Sequence, residues 1–150
     1  MDAPDERVMR LALEEARAAA AGGDVPVGAV IVRGDEILAR AANAREREQD
    51  PTAHAEILAL RQASSAIGSW HLEGCAMVVT LEPCAMCAGA IVLARAERLV
   101  FGAKDDKAGF AGSLGDLVRD PRLNHAVEVE SGVLAEECGE LLRAFFRERR

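Results

Sequence analysis

Apolar positions along this chain follow two rhythms, and the switches between them lay out its elements. From Asp5 to about Ala21, the residues Val8, Leu11, Ala12, Ala16 and Ala19 recur at helical spacing until Gly22-Gly23 stops the pattern, which predicts an amphipathic first helix. Val25 to Val32 is a β-branched run without helical period, and Arg33-Gly34-Asp35 turns it into a second strand from Glu36 to about Arg40, as in a hairpin. After a polar link, Asp50 as N-cap and Pro51 at the first helical position predict a helix to about Ala66. Ala76 to Thr80 reads as a buried strand, Pro83 opens a helix through Arg95, and Glu97 to Gly102 forms another strand. A Gly-, Ala- and Asp-rich link runs from Ala103 to Gly115, Val127 to Glu130 offers a last strand, and Leu134, Cys138, Leu141, Leu142 and Phe145 mark a terminal amphipathic helix. This order predicts an α/β fold with one mixed sheet and helices on both faces, the strand order left open.

A chain of 150 residues fits one domain spanning 1–150 and buries roughly 70% of its unfolded surface without needing disulfides. Its start is acidic and lacks the basic and apolar regions of a signal peptide, and no apolar run reaches the length of a membrane span, so the expectation is a soluble, cytoplasmic protein with no membrane partner. The net charge of -7 argues against nucleic-acid binding through the whole-molecule field and leaves room only for local patches. One such patch is the octet Arg143 to Arg150, with four arginines and one glutamate; a solvated helix end is the plainer reading of it.

The chemistry concentrates in two stretches. Asp50 to Glu56 supplies the imidazole of His54 and the carboxylate of Glu56, and Thr80 to Cys87 supplies the thiols of Cys84 and Cys87. With Pro83 opening a helix, the two thiols fall three apart on one helical face, at an N-terminus that favours thiolates. A lone Cys-x-x-Cys is compatible with a redox pair or a structural half-site. The upstream His-x-Glu adds a third ligand and a free carboxylate, the inventory of a hydrolytic zinc site whose fourth position stays open. Cys75 and Cys138 sit among apolar residues and read as core thiols, and neither they nor His71 and His125 lie at paired-ligand spacing.

His54-Ala55-Glu56 followed by Pro83-Cys84-Ala85-Met86-Cys87 matches the zinc deaminase signature. Longer phrases, Val25 to Val30, Asp50 to Ile57, Thr80 to Ala90, Phe101 to Asp105 and Ala111 to Leu114, closely resemble bacterial tRNA adenosine deaminases, over nearly the full chain. The resemblance implies a three-layer α/β/α cytidine deaminase-like fold around one mixed five-stranded sheet. It implies hydrolysis of adenosine to inosine at the wobble position of a tRNA anticodon stem-loop by a homodimer, with one zinc per subunit and no organic cofactor. Carried over by position, His54, Cys84 and Cys87 are the metal ligands and Glu56 the proton shuttle, while Val27, Asn43, Ala55 and Asp105 meet the substrate. Ala42 and Phe110 depart from the family pattern and bear on stacking and packing around the RNA. Competing readings are a free-base or nucleotide deaminase of the guanine or deoxycytidylate type, and a non-catalytic zinc-stabilised RNA-binding module.

Overall fold

The computed structural model describes residues 4–149. In chain order the described residues form α1 (Pro4–Ala21), β1 (Gly28–Arg33), β2 (Glu36–Ala42), α2 (Arg45–Glu48), α3 (Ala55–Ile67), β3 (Ala76–Leu81), α4 (Ala85–Leu93), β4 (Arg98–Ala103), β5 (Glu128–Ser131) and α5 (Ala135–Glu148). The strands make one sheet in the order β2-β1-β3-β4-β5, with β1 antiparallel to both its neighbours and the β3-β4 and β4-β5 pairs parallel.

Alternation along each strand divides the interior into two layers. Val30, Val78 and Val100 point to one face, where Met9, Ala12 and Leu13 of α1 and Cys138 of α5 cover them. Ala29, Ile31, Met77, Val79, Leu99 and Phe101 point to the other, against Ala59 and Ala63 of α3 and Ala88 and Ile91 of α4. The expected helices on both faces are therefore present. α1 crosses β1 so closely that a Cβ at Gly28 would run into the Ala12 carbonyl and the Ala16 amide, which is why a residue without a side chain begins this strand.

Element boundaries depart from the periodicity at several places, two of them with a clear local cause. The strand expected from Val25 begins only at Gly28, because Pro26 has no N–H for the ladder and Val27 N donates back to the Val25 carbonyl at 2.8 Å. The hairpin turn is Gly34-Asp35, as Arg33 pairs with Glu36, and β2 continues two residues past Arg40. The helix expected from Pro51 begins at Ala55 instead, since the Asp50 carboxylate accepts from both the amide and the hydroxyl of Thr52 at 2.8 Å and so closes an Asx-type turn. Likewise α4 starts two residues after Pro83 and stops at Leu93, short of Arg95.

β2, β3 and β4 all run the same way, and the register pairs Gly28 with Ala42 and Leu81 with Ala103 at one end of the sheet. Everything that follows these carboxyl ends, together with the segment leading into β1, gathers there, where open α/β sheets place their ligands.

The candidate metal and deamination site

Two helix N-termini converge at that end. His54 is the N-cap residue of α3 and Cys84 that of α4, each with extended backbone and with no side-chain capping hydrogen bond. Their side chains are thus free to turn away from their helices toward a common point. Glu56 then lies at the second helical position of α3 and Cys87 at the third of α4, which corrects the expectation that Cys84 shares a helical face with Cys87. The pair is brought together by the N-cap geometry rather than by one helical stripe.

Cys87 Sγ lies 3.5 Å and Cys84 Sγ 3.7 Å from His54 Nδ1, and the three donor atoms all lie within 4.8 Å of one another. A tetrahedral zinc with bonds of about 2.0–2.3 Å has its ligand atoms about 3.5–3.8 Å apart, so the donor set fits that ion in both identity and spacing. Protonation points the same way. The hydrogen bond from the Cys87 thiol, with help from His54, draws Cys84 down to about 4, while the same hydrogen bond and burial push Cys87 far up. His54 is raised by its hydrogen bond to Cys84. Two thiols and an imidazole share protons in this half-buried corner, and once they are deprotonated the donor set suits a soft divalent cation. Among the described residues this is the only group of three or more such side chains placed to hold a metal.

Glu56 is 4% exposed, and burial pushes its carboxyl up to about 7. Such a group exchanges protons near neutral pH, as a general acid and base must.

A cavity of about 190 Å³ opens onto these groups, and Val27, Asn43, Ala55 and Asp105 all line it together with His54, Glu56 and Cys84. Val27 precedes β1, Asn43 follows β2 and Asp105 follows β4. Asn43 is 7% exposed and is held by its own hydrogen bonds, Nδ2 donating to the Val25 carbonyl at 3.1 Å and Oδ1 accepting from the Arg45 amide at 3.3 Å. Asp105 Oδ1 accepts from the amides of Lys107 and Ala108 at 3.1 Å each.

Other candidates fall outside the pocket. Cys75 and Cys138 are buried in the apolar layers, and burial pushes Cys138 up to about 12. His71 pairs with Glu73 at the surface, and His125 Nε2 meets the Ala96 carbonyl at 2.6 Å. Along the basic octet Arg143 pairs with Glu136 and Glu140, Arg147 pairs with Glu140 at 2.9 Å, and Arg149 lies over the Phe145 ring; Arg150 lies outside the described residues. Lys104 lines a separate polar cavity beside Arg119. Phe110 packs against the apolar layer with its ring beside Gly115.

Two charged residues lining the pocket, and a third next to Val25 of its lining, were not picked out from the sequence. Arg45 lines the pocket. Asp24 is 1% exposed and accepts from the amides of Glu46 and Arg47 at 2.6 and 3.3 Å, capping α2 from outside. Glu82 is 2% exposed and accepts four hydrogen bonds from the segment 105–113. A charge immediately after a strand of apolar residues was the available signal for Glu82.

A mixed sheet between helix layers, with an imidazole, two thiols and a carboxylate converging at helix N-termini, defines a site of the zinc deaminase class. The family model of the cytidine and deoxycytidylate deaminase zinc-binding region matches residues 2–103. The chain is 56% identical over 146 residues to the tRNA-specific adenosine deaminase of Bacillus subtilis, covering 97% of this chain and 91% of that protein. Among solved structures it resembles one from a study of A-to-I editing by tRNA:A34 deaminases at the wobble position of transfer RNA. The match has a TM-score of 0.87 and 44% identity over 91% of this chain and 99% of the other. A guanine deaminase from Nitrosomonas europaea is more distant, at a TM-score of 0.78 and 29% identity over 95% of this chain and 85% of that one. The chain belongs to the tRNA-specific adenosine deaminase family of zinc-binding deaminases. No helix of the described residues is long and apolar enough to cross a membrane.

Proposed function

We propose that this protein is a cytoplasmic, single-domain enzyme that converts adenosine to inosine at the wobble position of a tRNA anticodon, releasing ammonia. The observation that carries this reading is the spacing of His54 Nδ1 to the Cys84 and Cys87 sulfurs, 3.7 and 3.5 Å, beside a buried carboxylate on the same pocket. In this reading His54, Cys84 and Cys87 hold one zinc per chain, and the ion supplies Lewis acidity toward a water when bound. Glu56 takes one proton from the attacking water and delivers it to the ring nitrogen, then takes the second from the new hydroxyl and passes it to the amine, which departs as ammonia. Val27 and Ala55 give the base an apolar seat, Asn43 presents a preset amide, and Asp105 keeps its second carboxylate oxygen for the substrate. The pocket's small size requires the target base to be flipped out of its stack to reach Glu56.

A second copy of the chain completes the assembly in this proposal. Met86, Gly89, Ala90 and Leu93 recur along α4 at helical spacing on its outward side, and Met86 and Leu93 are exposed. The helix is apolar on its inner face as well, where Ala88, Ile91 and Val92 are buried. A helix apolar all round belongs in an interior, so this face suits an isologous dimer contact.

The test is incubation of zinc-loaded protein with an anticodon stem-loop RNA and, in parallel, with free adenosine, guanine and deoxycytidylate, followed by mass spectrometry. Inosine formed in the stem-loop alone supports the proposal. Xanthine from guanine, or deoxyuridylate from deoxycytidylate, with an untouched stem-loop would replace it by a free-base or nucleotide deaminase.

A further inference from the structure

We infer that Glu82 is a positioning residue for the substrate, its buried carboxylate holding the pocket wall that carries Asp105 against the turn that carries Cys84. The inference rests on the proposed function only for what the pocket binds. Between β4 and residue 113 the chain forms no helix or strand, only an isolated bridge of Gly109 to Cys84 and another of Ala111 to Asp116. A loop of this kind has no ladder to fix its shape. It winds instead around one side chain: Glu82 Oε1 accepts from the Asp105 amide at 2.9 Å and the Ser113 hydroxyl at 2.5 Å, and Oε2 accepts from the amides of Ala111 and Ser113 at 3.0 Å each. The wrapping is so close that a Cβ at Gly109 would collide with the Glu82 carboxyl group. Two further ties reach the donor turn, the Phe110 amide donating to the Pro83 carbonyl at 2.8 Å and the bridge of Gly109 to Cys84. Pocket wall and donor turn are therefore one body, and the carboxylate sits at its centre while also lining the pocket itself.

The chemistry of the four donors makes a carboxylate necessary and predicts where its loss is felt. Three of them are backbone amides, which only donate; the Ser113 hydroxyl can also accept. In Glu82→Gln the side chain has the same shape but one acceptor oxygen. With that oxygen in the place of Oε2, the amides of Ala111 and Ser113 stay bonded and the new NH₂ faces the other two groups. The hydroxyl reverses and accepts, and the Asp105 amide is left facing another donor. The opposite orientation orphans two amides and is the worse of the two. The substitution thus frees one particular residue, the one on the substrate side of the loop.

The measurement begins with wild-type, zinc-loaded full-length protein, in which amide hydrogen exchange followed by NMR shows Asp105, Ala111 and Ser113 protected; exchange of all three at open-loop rates would overturn the inference. In Glu82→Gln, Asp105 exchanges at least about tenfold faster while Ala111 and Ser113 stay protected and the zinc content is unchanged. The KM for the anticodon stem-loop rises about tenfold with kcat within about twofold, the signature of lost binding rather than lost chemistry. Ser113→Ala removes only the reversible donor and leaves Asp105 protected with a KM near wild type. Uniform loss of protection across loop and sheet in Glu82→Gln, or a fall in kcat at constant KM, would show a general structural part instead. If the wild-type protein leaves the stem-loop unreacted, the substrate reading fails, and the exchange pattern alone still decides whether Glu82 places Asp105.

Discussion

Replacing Glu56 by Gln separates what this residue does for the reaction from what it does to the fold, because the two effects have opposite signs. Glu56 is buried, and burial raises its carboxyl from 4.5 to about 7. At about 1.4 kcal/mol per pH unit, keeping it ionised in the folded, metal-free chain costs about 3 kcal/mol. A folded-state value above the unfolded one means that the wild type carries no penalty below about pH 4.5 and accumulates it as pH rises through about 7. The isosteric amide has no proton to lose, so metal-free Glu56→Gln keeps its stability where the wild type weakens. His54 and Cys84 titrate in both proteins, so the comparison largely isolates Glu56. Neither apolar layer contains any of the three donors, so the metal-free chain retains its core.

Thermal unfolding of chelator-treated protein at pH 5 and pH 8 gives the stability side. At about 2–4 °C per kcal/mol for a chain of this size, the variant melts about 6–12 °C above wild type at pH 8 and within a few degrees of it at pH 5. Deamination of the stem-loop by zinc-loaded protein gives the other side, with the rate falling about 10²–10⁴-fold through loss of the proton shuttle. Near-wild-type turnover by the variant would refute the shuttle role. A metal-free variant no more stabilised at pH 8 than at pH 5 would refute the burial argument.

Cys84→Ala and Cys87→Ala each lose bound zinc by elemental analysis, whereas Cys75→Ala and Cys138→Ala keep it; metal loss from either of the latter would mean a closed, structural site. Zinc uptake at neutral pH releases protons, because Cys87 holds its own far above the usual thiol range and the metal binds the thiolate; an indicator-dye titration with no proton release would contradict that protonation pattern. Leu93→Glu, placed on the outward stripe of α4, shifts the protein toward a monomer in light scattering if that face is the dimer contact, and an unchanged mass would place the contact elsewhere. Replacing Arg147, Arg149 and Arg150 by Gln flattens the salt dependence of stem-loop binding by at most about 0.7 per arginine that meets a phosphate; an unchanged slope would show that the tie to Glu140 and the stack on Phe145 already account for Arg147 and Arg149.

How much of this could be read from the sequence follows from the range over which each feature is encoded. The five strands and the flanking helices were legible because apolar periodicity is a local property, and the donor residues were legible because metal chemistry admits few residue types. Asp50 and Pro51 misled because the same residues that start a helix also close an Asx turn, and here the Asp50 carboxylate takes both the amide and the hydroxyl of Thr52 at 2.8 Å. The N-cap placement of His54 and Cys84 was missed for the same reason: a boundary error of two to four residues at a helix start moves each from the first helical turn to the residue before it. Glu82 was hidden by distance. Its partners stand 23 to 31 residues along the chain, in a loop whose glycines and alanines carry no periodicity of their own, so nothing nearby in sequence announces that three amides and a hydroxyl will close on one carboxylate. Asp24 likewise reaches across 22 and 23 residues, to the amides of Glu46 and Arg47 in α2. One wall of the pocket is thus an irregular segment, 105–113, fixed by a buried carboxylate. For that reason Glu82→Gln, at a residue that lines the pocket and is not among the three metal donors, will weaken stem-loop binding in a titration while leaving the zinc content unchanged by elemental analysis.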